Sequence, residues 1–144
     1  MGKIKSVALG FAVGVLIAVG SAVAASGATV QTYTVHMTGS QEIPKGSPNG
    51  TGTFRYQLMT SSGQLCYSLS WSGIDTPFAA HVHKGAQGTD GPVVIPLSTS
   101  APVAHQGCVK VKKSLLAAIQ KKRSDYYVNV HTKKYQGGAI RGQL

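Results

Sequence analysis

The sequence predicts an all-β domain, an antiparallel β-sandwich or closed barrel with one short crossover helix, on three observations. Short β-prone runs recur along the chain, separated by clusters of Gly, Pro, Ser and Asn. Within these runs apolar and polar residues alternate with a period of two, the pattern of half-buried antiparallel strands. Residues 113–121 alone change to a helical period.

The expected strands are 30–38, 52–59, 64–72, 77–83, 92–97, 108–112, 125–131 and 139–144. In the first, Tyr33, Val35 and Met37 alternate with Thr34, His36 and Thr38. In the third, Leu65, Tyr67, Leu69 and Trp71 alternate with Cys66, Ser68, Ser70 and Ser72. Side chains alternate across a strand, so Phe78, Ala80 and Val82 are expected in the core while His81 and His83 leave it together. The same rule turns Val128 and Val130 inward, and Asn129 and His131 to the opposite side. In the helical stretch Leu115, Leu116 and Ile119 share one side, which suits a crossover between strands. Residues 40–49 and 84–91 read as flexible loops.

The start of the chain reads as a secretory signal peptide. Lys3 and Lys5 precede an uncharged apolar run over 7–19, and Ser21-Ala22-Val23-Ala24-Ala25 offers small residues for cleavage after Ala24 or Ala25. The apolar run is shorter than the roughly 20 residues that cross a bilayer. Residues 1–25 are thus predicted to be removed, leaving one domain, 26–144, outside the cytoplasm in the periplasm or at the cell surface. In that oxidising setting Cys66 and Cys108 are expected to form one disulfide, closing a loop of about 40 residues and contributing roughly 3 to 4 kcal/mol.

Without Lys3 and Lys5, 12 of the 14 basic residues remain against 4 acidic ones, a net charge of +8. Basic residues gather at Lys110, Lys112, Lys113, at Lys121, Lys122, Arg123 and at Lys133, Lys134. Such a surface attracts extracellular polyanions, although no nucleic-acid-binding motif accompanies it. Enzymatic chemistry is poorly supplied: the four carboxylates Glu42, Asp75, Asp90 and Asp125 are scattered, and no nucleophile elbow or phosphate-binding loop is present.

If the strands carrying His81-Val82-His83 and His131 are neighbours, three imidazoles converge. Residues i and i+2 of a strand lie about 6.6 Å apart on one side, so both rings can reach one Cu(II) or Zn(II) ion, with His131 as third ligand. The alternative is that these rings hydrogen-bond to backbone carbonyls and Asn129 and fix loop positions. His36 and His105 are read as surface residues.

Three ordered motifs carry a family resemblance: Thr38-Gly39-Ser40-Gln41-Glu42-Ile43-Pro44; Ala80-His81-Val82-His83-Lys84-Gly85 followed by Gly91-Pro92-Val93-Val94; and Tyr127-Val128-Asn129-Val130-His131-Thr132 leading to Gly138-Ala139-Ile140-Arg141-Gly142-Gln143-Leu144. Together they resemble the CHRD domain, the module repeated in chordin and found singly in secreted bacterial proteins. The resemblance implies a secreted, non-enzymatic extracellular binding or structural module, with a polyanion or protein as partner. The order His81, His83, His131, Arg141 is also similar to that of the copper histidines and arginine of copper-zinc superoxide dismutases, an immunoglobulin-like sandwich. That likeness implies copper or zinc binding as the alternative function, with a dismutase-like oxidoreductase third, because the zinc-binding loop of the dismutase has no counterpart here. Arg141 then has two readings: guiding an anion toward the histidines, or pairing with Glu42 or capping a turn.

Overall fold

The computed structural model describes Gly2 and residues 30–144; the expected signal peptide lies outside the described residues. Eight strands form the domain: β1 (Thr32–Thr38), β2 (Thr51–Met59), β3 (Gln64–Ser72), β4 (Pro77–Lys84), β5 (Val93–Ser98), β6 (Gln106–Lys110), β7 (Tyr126–Thr132) and β8 (Ile140–Gln143), with helix α1 (Lys113–Lys121) between β6 and β7. They make one antiparallel sheet in the order β5-β4-β7-β8-β1-β2-β3-β6. The sheet curls until β5 and β6 face each other across a cleft lined by Ile95, Pro96, Lys110 and Val111, a nearly closed barrel or sandwich. No described helix is long and apolar enough to cross a membrane.

The inward rows of the strands fill the curl. Phe54, Leu65, Leu69, Val82, Val128, Val130 and Ile140 are buried there, and α1 covers one end with Leu116 and Ile119. Alternation therefore sets the register: a slip of one residue would exchange the whole core row for the polar row. Cys66 and Cys108 are direct cross-strand partners and form the disulfide, which staples the edge strand β6 to β3.

Two expectations need correction. Phe78 is not a core residue; the β4–β7 register shifts between Pro77 and Ala79, so Ala79 and Ala80 are both buried while Phe78 turns toward His131 at 6.2 Å between ring centres. Nor are residues 40–49 and 84–91 loosely held. Gly46 N–H donates to the Gly39 carbonyl, Ser47 N–H to Ala139 O and Ser47 Oγ to Gly73 O, while Gly85 O and the carbonyls of Ala86 and Thr89 are bound by Gln143 and Arg141. Both loops satisfy their backbone groups with partners distant in sequence.

Candidate metal centre

β4 and β7 are neighbours, and Asn129 lies opposite His81. The outward rows of these two strands therefore meet, and the donor nitrogens of His81, His83 and His131 all lie within 4.8 Å of one another. Bonds of 2.0–2.1 Å to one ion need donor separations of about 3.3–4.2 Å, so a shift of about 1 Å in one ring closes the set. The histidines leave the apolar core, yet they are not solvated: His83 and His131 are each 8% exposed, covered by residues 84–91 and 133–138, and His81 is half-buried.

Backbone carbonyls orient two of the rings. His83 Nδ1 is 2.9 Å from Gly91 O, and His131 Nδ1 is 2.9 Å from Gln136 O. A carbonyl only accepts, so His83 Nδ1 donates to Gly91 O, and in a neutral ring the lone pair then lies on Nε2. His83 Nε2 is buried and has no hydrogen-bond partner among the described residues. His131 Nε2 faces His81 Nδ1 at 3.1 Å and Asn129 Oδ1 at 2.9 Å.

Burial holds His81 down to about 4, with the neighbouring His131 and His83 adding to the effect. Burial likewise holds His131 below the usual histidine range, opposed by its bond to Gln136 O and assisted by His83. Near pH 7 both rings are therefore neutral, the form that ligates metals. Three imidazoles without a carboxylate suit Zn(II) or Cu(II) and not Ca(II) or Mg(II), which take oxygen. The rings anchored at Nδ1 also match the way metal-bound histidines are oriented by carbonyl partners. Fixing a loop and presenting a lone pair are thus compatible roles, because each ring has two nitrogens.

The remaining candidates sit elsewhere. His36 is exposed on the outer side of β1. His105, also exposed, stacks on Trp71 at 4.2 Å and bonds to Leu69 O. Arg141 is 1% exposed; its guanidinium lies 3.4 Å from the centre of the Tyr127 ring and donates to Ala86 O, Thr89 O and, at 3.4 Å, Asp90. Its ion-pair partner is Asp90, and not Glu42.

Sequence reasoning missed the buried Glu42 and the ring of Tyr127. Glu42 is 3% exposed, and burial raises its carboxyl to about 7, opposed by Arg141, assisted by Asp90 and opposed again by a hydrogen bond from Asn129. A side chain at Gly138, whose φ is +143°, would overlap the Glu42 carboxylate. Tyr127 stacks on His83 at 4.7 Å and 10°. The one available signal for both residues was their place inside the first and third motifs.

An all-β domain with a loop-covered cluster of three histidines is the class that fold and site define. The model of the CHRD domain matches residues 33–144, and the chain belongs to the CHRD family. Neither the curated proteins nor the solved structures contain a match to it.

Proposed function

We propose that this CHRD-domain protein is a secreted, non-enzymatic binding module whose ligand is a Cu(II) or Zn(II) ion held by His81, His83 and His131. One observation carries the reading: the Gly91 carbonyl accepts from His83 Nδ1, which turns the buried Nε2 lone pair away from the anchoring loop, and His83 Nε2 has no hydrogen-bond partner among the described residues. Leaving such a group unpaired costs about 1 to 3 kcal/mol, which a coordinated ion would recover. The Cys66–Cys108 disulfide supports an oxidising location, as the expected signal peptide does.

The test is metal content of the protein purified after growth in copper- or zinc-supplemented medium and passed through a desalting column. About one equivalent is expected for the parent, and none for the His81→Ala/His83→Ala variant. A parent without stoichiometric metal overturns the reading. A superoxide assay on the copper-loaded protein, read against the denatured sample, is expected to show no catalysis; a rate well above that control would replace the binding module by an oxidoreductase.

A second reading, binding of an extracellular polyanion, is favoured by the basic surface. Lys110, Lys112, Lys113, Lys121, Lys133 and Lys134 are exposed and have no acidic partner among the described residues. Retention on an anionic polymer that falls with salt and with neutralisation of Lys121 and Lys122 supports it, whereas salt-independent behaviour removes it.

A further inference from the structure

We infer that Arg141 and Tyr127 are positioning residues for His83, acting through residues 85–91; the affinity part rests on the metal-binding reading above, and the tautomer part stands without it. The contacts form a closed circuit. Arg141 Nη2 donates to Ala86 O at 3.1 Å and Thr89 O at 2.8 Å, and Nη1 to Asp90 Oδ1 at 3.4 Å, so one guanidinium holds three successive points of one loop. The loop ends at Gly91, whose carbonyl accepts the His83 Nδ1 proton and whose N–H donates to Tyr127 Oη at 3.3 Å. Tyr127 stands on β7 between β4 and β8, with its ring against His83 on one side and under the Arg141 guanidinium on the other.

Each part of the circuit has a physical reason to be the residue it is. A guanidinium is planar and offers a fork of donors, so it can lie flat on an aromatic ring and still bind two carbonyls from its edge; a lysine ammonium cannot do both. Gly91 packs so tightly on the Lys84 carbonyl that a Cβ there would overlap it, which lets the carbonyl of Gly91 reach the ring of His83. A cation buried to 1% exposure is costly unless its donors are used, and here they are used on the loop that carries the partner of His83. The buried arginine thus sets which nitrogen of His83 keeps its proton, and through it the direction of the Nε2 lone pair. His131 is outside the circuit, because its Nδ1 faces Gln136 O, on a different loop.

The test uses Arg141→Lys, which keeps the charge and removes the fork and the stack. In metal-free, 15N-histidine-labelled protein, two-bond 1H–15N spectra report the proton on each ring nitrogen. The parent is expected to show His83 as the single Nδ1–H tautomer, and Arg141→Lys a mixture of the two, with His131 unchanged as the internal control of the fold. Zn(II) affinity of the variant is expected to fall about 10- to 100-fold. Tyr127→Leu, which keeps Arg141, serves if Arg141→Lys does not fold, and the same change at His83 alone is expected. A His83 that keeps one tautomer in the variant, or a change that spreads equally to His131, overturns the inference. A parent that takes up no zinc sinks the metal reading instead, and leaves the tautomer result standing.

Discussion

The outward faces of the two halves of the sheet began from the same rule and ended differently. On β1, β2 and β3 the outer row is Thr34, His36, Thr53, Arg55, Ser68 and Ser70, all exposed or half-exposed. On β4, β7 and β8 it includes the half-buried His81 together with His83, Asn129, His131 and Arg141, all four of them buried. Alternation decides only that a side chain leaves the core. Whether it then meets water or becomes part of a site depends on what lies over it: no described residue closes over the first face, whereas the loops carrying Gly91 and Gln136 lie against the second. The same residue type therefore behaves differently in the two places, His36 in solvent and His131 in a polar interior.

That contrast is open to direct attack. Cys66→Ser/Cys108→Ser removes the staple from the β3–β6 side, and loss of its 42-residue closure is expected to cost about 3 to 4 kcal/mol in urea unfolding while Zn(II) affinity stays unchanged. A change in affinity would show that the halves are coupled. Next in size, Zn(II) at 100 times its dissociation constant is expected to stabilise the parent by about 2.7 kcal/mol. His83→Ala/His131→Ala should abolish that gain, and His36→Ala/His105→Ala should leave it intact. Equal effects of the two pairs would erase the distinction between the faces.

Two pH effects of opposite sign sharpen it further. Glu42 keeps its proton to about 7 in the folded chain and loses it near 4.5 when unfolded, so stability falls as pH rises between those values. Glu42→Gln is therefore expected to gain about 1 to 3 kcal/mol at pH 8 and nothing below pH 4.5, measured by urea titration at both values. His81 works the other way, because its folded value of about 4 lies below 6.5 and the unfolded chain takes the proton first. Stability is lost as pH falls from 6.5 to about 4, and His81→Gln should flatten that limb by about 1 kcal/mol, a figure reduced for the partial exposure of the ring.

The strands and α1 were legible because their evidence is local: period-two alternation in β1, β3 and β7, and Leu116 with Ile119 on one helical side. Convergence of His81, His83 and His131 needed only the further step that β4 and β7 are neighbours. What stayed hidden was non-local or carried by the backbone. The carbonyls of Gly91 and Gln136 that orient two imidazoles have no side-chain signature. The loop at 84–91 looked free because its anchors, Arg141 and Gln143, lie more than fifty residues away. Phe78 was misplaced by a bulge that no alternation pattern reveals.

The position of β8 bears on how the molecule comes into being. It is made last of the eight strands, yet it supplies the hydrogen-bonded seam between β7 and β1, with Thr38 waiting for Arg141 more than a hundred positions downstream. Until residues 140–143 emerge from the ribosome, the nascent polypeptide holds two ladders with no rung joining them. Closure is consequently a late, long-range event among these strands, slow by the usual dependence of rate on sequence separation, and the histidine cluster cannot acquire its buried arginine before β8 is made.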